Sequence, residues 1–430
     1  MSGRRAARPR RMAPFLVLGE QAAFALTNLA SQLLLARAVA PEAFGAYTVA
    51  STFFFIAAIV HQTCLVEPMV VFSAGRLRRA LPSYHQLLLG RWSVVFGLAC
   101  GAGALLLAVL ATTLGAGPVG AALAAFAAVA PFVLHLWLLR RMAFSLGRPD
   151  LSFAATLIYA GATLGAIGAM LAFGALGVTG AILASGLAAA AASVFLTARL
   201  RWPARTDPAP RDLAARHLRY GRWALGAEAV NWAQTSGPIL ILPLWLGLAA
   251  SAELRMLALV FMPLLQVASV ASLILLRHLA GSARPDPATI ITTFLTLAGG
   301  AAAYTLAVVA GWTGIGPRLL GAGYAIDPVL VAIGGCGATS LVAAQAFIVT
   351  LRARERTGAV LAANLAALLT LVALMPAALP HGVRGVVTAQ AVAWAVALVV
   401  SGLLAAYRPR LGDWLRFAGD ANDPKAEIAS

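Results

Sequence analysis

Of the 430 residues, 61% are hydrophobic and only 11% charged, a balance that excludes a water-soluble domain and marks a chain built to sit in lipid. The formal charge of +17 arises from 32 basic residues against 15 acidic ones, and every basic residue but Lys425 is arginine. These arginines cluster between apolar runs, the pattern that orients helices in a membrane, so no nucleic-acid partner is expected.

The chain opens on a basic tail, "MSGRRAARPRR", that leads directly into the first apolar run and reads as a cytoplasmic segment at 1–14. Apolar windows of about 20 residues follow near 15–40, 46–66, 86–112, 118–139, 151–174 and 177–198. After the polar stretch "RLRWPARTDPAPRDLAAR" (199–216), a second series lies near 222–248, 254–276, 289–311, 327–350, 357–379 and 384–406. With the N-terminus inside, 28 basic residues fall on the inner side; only Arg37, Arg255, Arg318 and Arg384 fall at outer ends. The expected fold is all-α and polytopic: twelve transmembrane helices with both termini cytoplasmic. Two pseudo-symmetric six-helix lobes are expected at 15–198 and 222–406, joined by a basic linker at 199–221 and followed by a tail at 407–430.

The two halves echo each other. "LGEQAAFALTN" (18–28) resembles "LGAEAVNWAQT" (225–235), and each opens its half with a polar-studded helix. On a wheel of about 100° per residue, Glu20, Gln21, Thr27, Asn28, Ser31 and Gln32 share an arc of roughly 140°. Glu228, Asn231, Gln234 and Thr235 share one of roughly 120° in the seventh helix. A charge at mid-bilayer costs about 2.5–3.5 kcal/mol on insertion scales, so two matched stripes point to a shared aqueous cavity between the halves.

Other polar residues invite weaker readings. Arg37 is expected to snorkel to the interface. Arg91 and Arg222, near the inner ends of their helices, could meet an anionic head group. His61 reads as a satisfied polar residue rather than a proton carrier, and Glu67 as a structural ion-pair member where Pro68 breaks the helix. Gln266, Gln345, Asn364 and Gln390 read as packing residues. "GLACG" (97–101) and "GATLG" (161–165) are helix-packing signals. Cys64, Cys100 and Cys336 form no CxxC and the six histidines no HxxxH, so neither disulfide nor metal site is expected. There is no Walker A, GxSxG or HExxH motif.

"GEQAAFALTNLASQLLLARAVAPEAFGAYTVA", followed by "LVEPMVVF" and later by "LLGAGYA" (319–325), resembles the Wzx-type polysaccharide flippases of the MOP superfamily. The resemblance implies two six-helix lobes, alternating access and a cargo of undecaprenyl-pyrophosphate-linked oligosaccharide at the bacterial inner membrane. It also implies membrane lipids, a polysaccharide polymerase and chain-length machinery as partners. No cofactor is expected beyond a coupling proton or sodium ion, and the protein is not expected to be an enzyme. Candidate cavity residues are Glu20, Gln21, Asn28, Gln32, Arg91, Arg222, Glu228, Asn231 and Gln234, with Glu20 and Glu228 as ion-coupling candidates. Glu20→Gln is then expected to abolish surface polysaccharide without loss of protein from the membrane. A multidrug exporter of the same superfamily is the alternative, and a polytopic glycosyltransferase or polymerase a more distant one.

Overall fold

A computed structural model describes residues 13–74, 81–200, 212–280 and 287–407, except 322, 325 and 355. Residues 1–12 of the expected tail at 1–14, 408–430 of the tail at 407–430 and 201–211 of the linker at 199–221 lie outside the described residues. The described residues form no strand. The helical rods are α1 (Ala13–Ala38), α2 (41–74), α3 (Leu81–Thr113), α4 (Gly117–Ser145), α5 (Pro149–Ala172) and α6 (Val178–Arg199). They continue with α7 (Leu213–Leu246), α8 (Leu248–Ala280), α9 (Pro287–Leu320), α10 (Pro328–Ala353), α11 (Thr357–Ala378) and α12 (Gly382–Ala406).

Among the described residues, nine helices are long and apolar enough to cross a membrane, the last, Gly358–Ala406, running over both α11 and α12. The two rods that fall short, α1 and α7, are the ones that carry the polar stripes. Helix ends follow local chemistry. Prolines open α2, α5 and α10 at their first positions, where a missing N–H costs nothing. Gly147 (φ 70°) and Gly174 (φ 65°) take the left-handed conformation just past α4 and α5. Asp327 caps α10 by accepting from the Leu330 amide at 2.7 Å and also pairs with Arg384 of α12. These contacts, the amide first, hold its carboxyl below the usual carboxylate range, and their small stabilisation, complete above that range, is lost as the pH falls below it.

Several prolines sit inside helices, where each frees the carbonyl four residues earlier. In hydrocarbon such a carbonyl must find another donor. Pro68 frees the Cys64 carbonyl; α2 does not break there, as the sequence suggested, but relaxes into a π-turn at Gln62–Val66 and continues. The freed oxygen accepts from His217 Nδ1 of α7 at 2.8 Å, and Tyr84 of α3 donates its hydroxyl to His217 Nε2 at 2.8 Å. Pro238 frees the Gln234 carbonyl, which accepts from Gln390 Nε2 of α12 at 3.2 Å. Pro243 frees the Ile239 carbonyl, which accepts from Ser251 Oγ of α8 at 2.8 Å. Gln390 is therefore more than a packing residue, and α7 begins nine residues before its expected start so that His217 can reach α2.

Packing repeats along the chain. In the first half α3 packs on α4, α4 and α5 on α6, α1 on α5, and α2 on α4. The same five pairings recur six rods later: α9 on α10, α10 and α11 on α12, α7 on α11, and α8 on α10. Gly97 and Gly101 bring α3 close to α4: a Cβ on either would lie 2.8 Å from Pro131 Cα or the Ala127 carbonyl. Gly161 and Gly165 meet nothing within 4 Å, so the second GxxxG does not act as a packing seam. The halves join chiefly through α2, which packs on both α7 and α8. At the end where α1 passes into α2, Gly45 packs so tightly on the Leu248 carbonyl that no Cβ fits. There Phe44 stacks on Tyr47 and meets Tyr324 edge-on, and the Tyr324 hydroxyl donates to the Ala36 carbonyl at 3.3 Å.

The proline–donor pairs can be tested directly. Ser251→Ala leaves the Ile239 carbonyl buried without a donor and is expected to cost about 1–3 kcal/mol. Pro243→Ala restores the missing amide, so the double variant should recover most of the lost thermal stability in detergent.

Candidate functional site

The polar face of α1 borders a chamber of about 280 Å³. Gln21, Asn28, Ser31 and Gln32 line it from α1, with Tyr47, Ser51 and Phe54 from α2, Trp137 from α4, and Tyr159 from α5. The second half contributes Arg255, Met262 and Gln266 from α8. The amides of α1 turn one N–H back onto their own helix: Asn28 donates to the Phe24 carbonyl at 3.0 Å and Gln32 to the Asn28 carbonyl at 3.2 Å. Their carbonyl oxygens are thereby left to other donors. Gln32 Oε1 accepts from Arg255 Nε at 2.8 Å, a hydrogen bond that crosses from one half to the other. Ser31 Oγ and Trp137 Nε1, both on the chamber wall, have no protein partner among the described residues.

The wall is aromatic as well as polar. Phe24 stacks on Tyr159 at 5.5 Å and meets Trp137 edge-on, and Phe54 stacks on Phe126 at 5.2 Å. Behind Phe24 lies the carboxylate that opened the polar stripe. Glu20 is fully buried and paired with Arg140 of α4, whose guanidinium also sits 4.1 Å over the Phe24 ring. The Ser152 and Thr156 hydroxyls of α5 approach the same Glu20 oxygen at 3.4 and 3.3 Å. Glu20 therefore faces the α1–α4–α5 interface and does not line the chamber.

The seventh-helix stripe is placed differently from the expectation of one shared cavity. Gln234 is buried, and its carbonyl is the one that Gln390 satisfies. Glu228 is half-buried and accepts from Asn231 Nδ2 at 3.5 Å. None of Glu228, Asn231 and Gln234 lines the chamber, nor do Arg91 and Arg222, both exposed. The reason is geometric: the early α7 start and its two prolines set this helix against α2, α11 and α12, while α8 takes the place facing α1.

Two residues that sequence reasoning passed over carry the site. Arg140 was counted only with the inner arginines, although a buried Glu20 requires a counter-charge within its own bundle. Arg255 falls among the outer ends in that count, yet it supplies the single charged side chain that lines the chamber among the described residues. Gln266, read as packing, is also part of the wall.

The buried pair changes what Glu20→Gln should do. The substitution strands the Arg140 cation and is expected to cost about 3–5 kcal/mol, read as a lower unfolding temperature and less protein in the membrane. Glu20→Leu combined with Arg140→Met, which removes both charges, should restore much of it.

No protein-family model matches the chain, and no curated protein does. Solved structures share its fold. An inward-facing multidrug resistance MATE family transporter of the MOP superfamily superposes with TM-score 0.67 at 16% identity, over 89% of this chain and 93% of that one. The lipid II flippase MurJ in an inward closed conformation gives 0.65 at 12% identity, over 96% of this chain and 94% of that one. A MOP superfamily transporter from Pyrococcus furiosus, described by a binding pocket of reversed polarity suggesting a different function, gives 0.60 at 15%, over 92% and 94%. At such identities the likeness is one of fold: the chain is a multi-pass membrane protein with the all-helical architecture of MOP superfamily transporters.

Proposed function

We propose that the protein is a flippase that moves an undecaprenyl-pyrophosphate-linked oligosaccharide across the bacterial inner membrane for surface polysaccharide assembly. In this reading the twelve rods are twelve spans in two six-helix lobes with both termini cytoplasmic. The five pairings that recur six rods later support it. With the arginine clusters inside, the tight α1–α2 end would lie outside, and this arrangement would be a state closed to the outer face. A chamber of about 280 Å³ is at the small end for ligand sites, and a sugar head group would enter it as the lobes part on the inner side. The polyprenyl tail would stay in lipid, because moving a charged, hydroxyl-rich head through hydrocarbon unaided is prohibitive.

The observation that carries the reading is the sign of the chamber. Among the described residues, Arg255 is its only charged lining residue, and no carboxylate lines it. A pyrophosphate fits a guanidinium that can bind two oxygens at once, whereas a cationic drug would meet like charge. Amides, hydroxyls and aromatic faces around the arginine suit sugar hydroxyls and sugar rings. The multidrug reading draws on fold likeness to the MATE transporter, but it needs an anionic chamber, and Arg140 has taken Glu20 out of that role.

Arg255→Gln is expected to stop transport and to raise lipid-linked oligosaccharide on the cytoplasmic leaflet at least tenfold, with the protein still in the membrane. Arg255→Lys keeps the charge but loses the fork and should restore only part of the flux. Efflux of a cationic dye that depends on this protein and survives Arg255→Gln would favour the drug exporter.

A further inference from the structure

We propose that the first half binds one anionic phospholipid in a groove behind the chamber wall, whatever cargo the chamber takes. Buried polar atoms are normally paired. His61, expected to be satisfied, is an exception: neither ring nitrogen has a partner among the described residues. Ser193 of α6 is another, nine-tenths buried and with a hydroxyl that has no partner there either. What sets Ser193 apart is that it lines a groove of about 900 Å³ formed by α3, α4 and α6.

Helix α4 is the floor of this groove and divides it from the chamber. At about 100° per residue, Ala128, Pro131, Phe132 and His135 lie on the side of α4 away from Val129, Val133 and Trp137, which line the chamber. Glycines set the flanking helices close against this floor, Gly97 and Gly101 from α3 and Gly186 from α6. The rims are apolar side chains turned to the lipid: Leu98, Phe132 and Val194 are all exposed. With α4 in between, a cargo whose head group sits in the chamber does not lay its tail in this groove.

One end of the groove is polar. Ser93 closes the π-turn Leu88–Ser93, a backbone irregularity that gathers at functional sites, and hydrogen-bonds His135 Nδ1 at 3.0 Å. With the serine hydroxyl donating, the ring proton sits on Nε2, which has no partner among the described residues. Gly186 of α6 meets α4 at Val129, and both helices run the same way, so Ser193 stands level with His135. A hydrocarbon layer of about 30 Å, or about 20 residues of helix, counted from Gly117 at the start of α4 ends near Trp137. These donors therefore stand at the depth of phospholipid ester carbonyls. Arg91, two residues before Ser93, is exposed and has no ion-pair partner among the described residues. The sequence suggested Arg91 for an anionic head group, and the structure keeps it out of the chamber. The phosphate falls to Arg91, the ester carbonyls to Ser193 and His135, and an acyl chain to the alanine-rich floor. A zwitterionic head group would bring its own cation against Arg91, and an isoprenoid chain has no carbonyl for the buried hydroxyl.

The test uses the full chain in detergent, stripped of native lipid and given phosphatidylglycerol or phosphatidylcholine with a photoreactive acyl chain. Phosphatidylglycerol should label Leu98, Ala128 and Ala190 several-fold above other lipid-facing positions, and native mass spectrometry should retain one molecule per chain. Arg91→Gln should cut the preference over phosphatidylcholine about fivefold, with the unfolding temperature unchanged. Ala190→Phe fills the groove and should remove both the label and the retained lipid. If that variant fails to fold, Ser193→Ala, which only removes a donor, should still weaken retention several-fold. Arg318→Gln, at the far end of α9, should change neither. Equal groove labelling by the two lipids, or label spread evenly over the lipid-facing helices, means ordinary boundary lipid and overturns the site. So does an undiminished preference in Arg91→Gln. Unlabelled decaprenyl phosphate that displaces the label better than unlabelled phosphatidylglycerol would give the groove to an isoprenoid and overturn the proposal as well.

Discussion

A backbone carbonyl in hydrocarbon cannot be left without a donor, and much of this architecture follows from that constraint. Prolines within α2 and α7 remove three of the amides that would have served. The replacements come from other helices: an imidazole, an amide and a hydroxyl, each within hydrogen-bond distance of the carbonyl the proline released. These bonds fix how α2, α7, α8 and α12 lie against one another. Apolar packing alone is a weak guide there, because lipid competes for the same side chains. The prolines thus act less as breaks than as sockets, and the tertiary structure supplies the plugs.

The same economy governs charge. Glu20 and Arg140 cancel each other behind a phenylalanine, with two hydroxyls helping to solvate the carboxylate. What remains in view of the chamber, among the described residues, is one guanidinium, bonded to an amide of the opposite half. The chamber's polarity is set less by which ionisable residues α1 contains than by which of them the neighbouring helices have already neutralised.

The all-helical, multi-pass character of the chain was legible in composition, window length and arginine spacing. The polar face of α1 was legible too, because a 3.6-residue period fixes which residues share a side; Gln21, Asn28 and Gln32 do reach one chamber. Two things were hidden. Helix periodicity says which residues lie together but not what faces them, so Glu20 could not be told from Gln21, one residue on, without knowing that Arg140 stood opposite. The apparent twin stripe on α7 shared the pattern of α1 but not its surroundings, since a helix that starts early and carries two interior prolines packs differently from one whose single proline, Pro14, sits in its first turn. Pro68 beside Glu67 looked like a terminus because a lone sequence gives no sign of a distant histidine ready to take the freed carbonyl.

The docking of His217 bears on where the mechanical units divide. The opening turns of α7 are fastened to α2 and α3 by His217, Tyr84 and the close approach of Gly221 to Cys64. The sequence reading places those turns in the linker at 199–221, yet any rocking of one half against the other would carry them with the first. The flexing point then lies inside the helix, beyond Gly221 and before the carbonyls that Gln390 and Ser251 tie to α12 and α8. A fluorophore attached near Leu213, at the start of α7, would therefore report on the first half and not the second.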